Sequence, residues 1–236
     1  MDALAACWPP YRLLLRAGDL ELRVLRESDV PELVALVLDG VHDPATMPFD
    51  TPWTDAPPEE LPANYLRYQA SVRAGTTPES WTLELVVRRA GEVVGTQCLS
   101  ARDFAVTRVA ETGSWLGRRF HGRGIGTRMR QAVCALAFDV LGAERVTSSA
   151  FVDNPASLAV SRKVGYVEDG TQVKVRRGKA ALNQRLLLTE PAFVRGEPVE
   201  VVGGEDLRGF LGLAGSARAG ADQAVPDGAG RGREGA

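Results

Sequence analysis

Thr112-Gly-Ser-Trp-Leu116, then His121-Gly122-Arg123-Gly124-Ile125-Gly126, then the amphipathic run from Thr127 to Leu141, reads as a strand, a glycine loop and the N-terminus of a helix. Three glycines at alternate positions let a backbone approach a ligand closely and take positive φ. The first turn of the helix adds unpaired N–H groups at the positive end of its dipole. Together these make a cradle for phosphate.

Spacing separates the families that build such cradles. A Walker loop needs a Gly-Lys-Ser/Thr ending, and that lysine is absent. A dinucleotide fingerprint needs glycines at its first, third and sixth positions, which 122, 124 and 126 do not satisfy. The spacing resembles the pyrophosphate loop of the GNAT superfamily of acyl-CoA-dependent N-acetyltransferases, whose pattern falls here on His121, Gly124 and Gly126. Histidine replaces the usual Gln or Arg. The resemblance assigns the binding role there to the backbone N–H, with the ring expected to point outward.

A second block strengthens the resemblance. Arg145 to Val152 is β-rich, and Asn154-Pro-Ala-Ser157 opens a segment that closes on Lys163-Val-Gly165-Tyr166. In the family an Asn at a strand end starts a helix that ends in a basic residue, an apolar residue, Gly and an aromatic. Within the superfamily, Glu111-Thr-Gly113-Ser114-Trp115-Leu116 resembles the Glu-x-Gly-aromatic-Trp-Leu strand of the RimJ/RimL-type branch, with Ser114 where an aromatic is usual. The implied fold is α/β: a mixed, mostly antiparallel central sheet flanked by helices on both faces. The resemblance spans roughly residues 12–195.

Patterning along the chain is consistent with that fold. Leu13 to Leu15 and Leu20 to Leu25 flank a turn at Gly18 and predict a hairpin. Val30, Leu33, Val34, Val37, Leu38 and Val41 recur at helical spacing after Ser28-Asp29 and predict a helix near 29–40. The stretch His42 to Pro62 has no periodicity and predicts a long loop. Helical spacing resumes over Glu59 to Ala74, and an antiparallel pair follows at Trp81 to Arg88 and Val93 to Leu99. After the second block, Thr171 to Arg176 and Asn183 to Thr189 predict a final hairpin. The expected division is an acetyltransferase domain over 1–195, a docking segment over 196–213, and a disordered tail over 214–236, whose Gly, Ala, Arg and Asp cannot bury an apolar core.

The resemblance implies acetyl-CoA as donor, bound by Trp115, Leu116, His121, Gly122, Arg123, Gly124, Ile125, Gly126, Thr127, Asn154 and Ser157. Arg118, Arg119, Arg123 and Arg128 surround the loop and either pair with phosphates or face water. A backbone N–H at Ser114 to Leu116 is the expected donor to the thioester carbonyl. Ser157 is the candidate general acid for the departing thiolate, against the simpler reading in which Asp153 and Asn154 cap a helix and Ser157 bonds within its first turn. Glu111 is the candidate base, or else an anchor for a cationic group. Tyr166 is expected in the core. Met47 to Trp53 and Lys174 to Lys179 are the expected lining for the acceptor, the basic run being either an anion site or a solvated hairpin tip.

At 236 residues with 44% hydrophobic content the chain buries one sizeable core. Lys+Arg 28 against Asp+Glu 30 leaves a net charge of −2, which gives no argument for nucleic acid. Cys7, Cys98 and Cys134 are odd in number and widely spaced, so neither a disulfide framework nor a zinc or other metal site is expected. With no apolar run of membrane-spanning length and no signal peptide, a cytoplasmic enzyme is expected, as monomer or homodimer, acting on a small-molecule or peptide amine. The competing class is a non-catalytic acyl-CoA sensor or interaction module.

Overall fold

The computed structural model describes residues 3–213, so the tail expected over 214–236 lies outside the described residues. A short α1 (Ala3–Cys7) precedes the hairpin β1 (Leu14–Ala17) and β2 (Leu20–Val24). Helices α2 (Val30–Asp39) and α3 (Leu61–Ala74) follow, then β3 (Ser80–Arg89), β4 (Glu92–Arg102), a single turn α4 (Phe104–Thr107) and β5 (Val109–Leu116). The glycine loop leads to α5 (Ile125–Ala135), prolonged by a π-helical turn over Leu136–Leu141. Next come β6 (Arg145–Phe151), α6 (Pro155–Val164), the hairpin β7 (Val167–Arg176) and β8 (Lys179–Thr189), then β9 (Glu200–Val202) and α7 (Gly204–Phe210).

All nine strands form one sheet in the order β7-β8-β6-β5-β4-β3-β2-β1-β9. Every pairing whose register is defined is antiparallel except β5 with β6. The sheet is therefore mixed and mostly antiparallel. Neighbouring residues of a strand point to opposite faces, and β5 shows what covers each one. Trp115 packs with Val37 of α2 and Leu61 of α3, whereas Ser114 meets Arg130 of α5. Helices α2 and α3 thus lie on one face and α5 on the other.

Element boundaries differ from the sequence expectation where turn chemistry intervenes. The helix after the glycine loop begins at Ile125, the first residue of its buried apolar stripe, because Gly124 adopts φ +76° and turns the chain directly into it. Helix α3 starts at Leu61 rather than Glu59, after a turn closed by the Glu60 N–H on the Pro57 carbonyl at 2.9 Å. Strand β7 begins at Val167, continuing through a register irregularity between Glu168 and Thr171 that breaks its alternation in sequence. Residues 196–213 supply β9, which pairs with β1, and α7, whose Leu207 is fully buried in the main core along with Leu211 and Leu213.

A buried carboxylate fixes α2 to the sheet. Asp29 is 1% exposed. It accepts from Arg23 Nη1 of β2 at 2.8 Å and from the Arg26 backbone N–H at 2.9 Å, and Arg88 of β3 lies 3.3 Å away. Burial alone would raise its pKa, but these hydrogen bonds and charges outweigh burial and hold it below the ordinary carboxylate range. Its stabilisation is therefore complete above the unfolded-state value near 4 and is lost as pH falls through the depressed folded-state value. Asp29→Asn leaves two guanidinium groups facing a neutral amide. We predict a loss of about 3–5 kcal/mol in urea unfolding at pH 7, with the difference from the native protein shrinking below about pH 4 as the native carboxylate protonates.

Candidate active site

The parallel pairing of β5 with β6 runs only over Val109–Arg145, Ala110–Val146 and Glu111–Thr147. Beyond Glu111 the two strands diverge while β5 stays paired to β4 as far as Leu116. Hydrogen-bonding direction alternates along an antiparallel pair, and the Gly117 N–H bonds the Val94 carbonyl of β4 at 2.9 Å. By that alternation the N–H groups of Ser114 and Leu116 point away from β4, into the gap. The Thr112 carbonyl on the same side is met by a side chain, Ser148 Oγ, at 3.0 Å. A cleft of about 830 Å³ runs through this gap.

One end of the cleft is the glycine loop. Gly122 and Gly124 have φ of +75° and +76°, and a Cβ added at either would meet nothing within 4 Å. The concave side of the loop is open. None of the N–H groups from Gly122 to Thr127 has a backbone acceptor, the first helical bond being Arg128 N–H to the Gly124 carbonyl at 3.2 Å. Six successive donors on a helix N-terminus fit a pyrophosphate. Gly126 stands where the loop passes close to α6: a Cβ there would lie 3.5 Å from Val160.

His121 behaves otherwise than expected. Its backbone N–H is donated to the Arg118 carbonyl at 3.1 Å, and its ring folds back so that Nε2 lies 3.1 Å from the Leu116 carbonyl. The ring, not the N–H, faces the cleft strand. Among the surrounding arginines, Arg119 pairs with Asp39 and Glu92, and Arg128 pairs with Asp19 and Glu197. Arg118 lines the cleft, and Arg123 is exposed with its guanidinium 5.8 Å from the Phe120 ring.

The second block forms the opposite wall. Asn154 caps α6, its Oδ1 accepting from the Ser157 N–H at 3.1 Å. Pro155 at the first helical position and Gly165 with φ +103° at the C-cap complete the start and stop signals. Asp153 is not a cap; it forms a bidentate pair with Arg176, both contacts at 2.7 Å. Ser157 lines the cleft, and its hydroxyl has no protein partner among the described residues. Tyr166 is buried, its hydroxyl 2.9 Å from Thr112 Oγ1 and 3.5 Å from Cys134 Sγ. Burial pushes its pKa well above the ordinary range and pushes the Cys134 thiol up to about 11; neither residue lines the cleft, and both are core groups.

On the α2 and α3 face, the loop over 42–60 is ordered by aromatic contacts. His42 meets Phe49, Phe49 meets Trp53, and Trp53 meets Trp115 with ring centroids 5.8 Å apart. Three basic residues of the hairpin turn, Lys174, Arg176 and Arg177, are held in ion pairs, and Lys179 is exposed. Lys174 pairs with Asp50, Arg177 with Asp55, and Arg176 Nη1 reaches the Met47 carbonyl at 3.4 Å. The hairpin β7–β8 clamps the loop over the cleft. Glu111 is exposed at the cleft wall and, among the described residues, forms no ion pair.

Two cleft groups escaped the sequence reading. Ser148 follows Thr147, the last residue of β6 paired with β5, a position only the register reveals. Arg130 is 3% exposed and reaches Ser114 and Ser148 beneath the gap. Its signal was position alone, since residue 130 lies on the buried side of α5 between Met129 and Val133.

Comparison with known proteins agrees with this geometry. The protein "Putative ribosomal N-acetyltransferase YdaF" of Bacillus subtilis (strain 168) is 38% identical over 65 residues, a match covering 28% of this chain and 36% of that protein. The chain thus spans about a third of that relative's length. RimL, a ribosomal L7/L12 alpha-N-protein acetyltransferase solved in complex with coenzyme A, superposes with a TM-score of 0.60 at 25% identity, covering 75% of this chain and 97% of RimL. Mycobacterium smegmatis RimJ with a CoA disulfide gives 0.64 at 18% identity, covering 86% and 95% respectively, a likeness of fold. The family model described as "Acetyltransferase (GNAT) domain" matches residues 19–167, which take in the glycine loop, both diverging strands and α6. The chain belongs to the GNAT acetyltransferase family.

Proposed function

We propose that the protein transfers an acetyl group from acetyl-CoA to a primary amine by direct attack within a ternary complex, the acceptor being a protein N-terminus or a small-molecule amine. The observation that supports this most is the continuity of the cleft. Six free N–H groups at the glycine loop lead to the outward N–H groups of Ser114 and Leu116, with Ser157 on one wall and Glu111 on the other.

In this reading the loop holds the pyrophosphate through Gly122, Arg123, Gly124, Ile125, Gly126 and Thr127, while Trp115, Leu116, His121 and Asn154 bound the path of the pantetheine arm. The Ser114 or Leu116 N–H donates to the thioester oxygen as negative charge develops there. Glu111 accepts a proton from the incoming ammonium, directly or through a water. The free amine attacks the carbonyl carbon, the N–C bond forms, and the C–S bond breaks. Ser157 gives its hydroxyl proton to the departing thiolate and regains one from solvent. Asn154 holds Ser157 in place through the cap.

RimL supports a protein N-terminus as acceptor, and a spermidine N-acetyltransferase chimera at 19% identity and a TM-score of 0.57 shows the same fold in a protein named for a polyamine. An unpaired carboxylate at Glu111 suits a cationic acceptor of either kind. Among the described residues all three cysteines are free, and no helix is long and apolar enough to cross a membrane. Free thiols suit a reducing, cytoplasmic setting.

Thiol release from acetyl-CoA over a panel of N-terminal peptides and small amines tests the reading. Turnover with at least one primary amine is expected, and CoA binding without turnover on any of them would mark a sensor instead. Gly124→Asp places a negatively charged side chain at positive φ in the cradle, and calorimetry should show at least a tenfold weaker CoA affinity in the folded variant. Ser157→Ala is expected to lower turnover more than tenfold with CoA affinity and melting temperature unchanged. A stability loss with normal turnover would return Ser157 to a structural role.

A further inference from the structure

Arg130 is a buried cation that the acetyl-transfer reading leaves unused. It extends from α5 toward the gap between β5 and β6 and lines the cleft. Its Nη1 donates to Ser148 Oγ at 3.2 Å and its Nη2 to Ser114 Oγ at 3.1 Å. Its Nε–H is buried with no acceptor, and among the described residues no carboxylate pairs with it. The remaining neighbour is the Tyr166 ring, 5.9 Å from the guanidinium carbon.

Such an arrangement is unfavourable by itself. A guanidinium removed from water needs a counter-charge, and neutral hydroxyls offset only part of its desolvation. By contrast, every arginine that forms an ion pair among the described residues keeps its own side chain partly exposed, even where its carboxylate, as with Asp29, is buried. The position also departs from what the strand resemblance leads one to expect, since Ser114 stands where that branch carries an aromatic ring. A small side chain at 114 leaves room for the guanidinium and supplies one of its two acceptors.

We infer that Arg130 is a subsite for a carboxylate on the acyl chain of the donor, so that the cleft takes CoA thioesters of dicarboxylic acids in addition to acetyl-CoA. The inference rests on the acyl-CoA reading of the cleft. The donor side is favoured over the acceptor side by placement: Arg130 rises from the helix that begins at the glycine loop, on the face opposite Trp115 and the loop over 42–60. Guanidinium and carboxylate form two parallel charge-assisted hydrogen bonds, and burial strengthens them. The transfer step is unchanged, with the N–C bond formed, the C–S bond broken, and the distal carboxylate carried intact to the amine.

Succinyl-CoA and butyryl-CoA match in chain length and differ in the terminal carboxylate. Calorimetry on the full chain should show succinyl-CoA binding at least tenfold more tightly than butyryl-CoA. In Arg130→Met the ratio should fall to about one, and Ser114→Phe, which fills the space beside the guanidinium with a ring, should reduce it as well. Equal affinity for the two thioesters in the native protein would overturn the subsite while leaving the acyl-CoA reading intact. Failure of the native protein to bind CoA itself would overturn both. A preference that persists in a folded Arg130→Met variant would assign the carboxylate to another group and overturn the role given to Arg130.

Discussion

The loss of pairing between β5 and β6 after Glu111 is the constraint on which the site depends. Inside a sheet every backbone N–H and C=O is expected to find a partner. Here β5 remains locked to β4 on one edge, so its other edge faces a gap that no strand fills. Side chains satisfy part of the deficit, as when Ser148 donates to the Thr112 carbonyl and the His121 ring meets the Leu116 carbonyl. The donors left over are those suited to an extended ligand with amide and carbonyl groups of its own. The opening is thus an interrupted sheet with donors free along one edge of β5.

Two covers converge on that opening and differ in their physics. On the α5 side the cover is electrostatic, combining the loop's free N–H groups, the helix dipole and a buried guanidinium. On the α2 side it is apolar and ionic together: edge-on and tilted ring contacts from His42 to Trp115, held down by Lys174 and Arg177 of the hairpin. Exposed ion pairs contribute little stability one at a time. Several between the same two segments, reinforced by aromatic packing, set where the loop lies. The Asp29 cluster does the corresponding work at the other end of α2, joining the helix to β2 and β3.

Serine at 114 connects these observations. An aromatic ring there would fill the floor of the gap with apolar surface. A hydroxyl instead accepts from Arg130, and the floor of the gap acquires a buried charge. One residue in a strand motif thereby sets whether the floor of the gap is apolar or charged.

Local patterns in the sequence determined much of this protein. The glycine loop, the cap at Asn154, the stop at Gly165 and the alternation of β3 and β4 each depend on residues a few positions apart, so their physics is legible without a fold. Together with family resemblance they specified the sheet architecture and placed Ser157 and Glu111 near one cleft. What the tertiary structure alone decided depends on partners far apart in the chain. The clamp between Lys174 and Asp50 joins residues 124 apart, and Arg130 meets Ser148 across a strand register that no periodicity encodes. Nothing local in the sequence singles out Arg130; only the divergence of two strands above it gave it hydroxyl partners and a cleft to face. His121 turned inward for a related reason, since a carbonyl left unpaired by that divergence was within its reach.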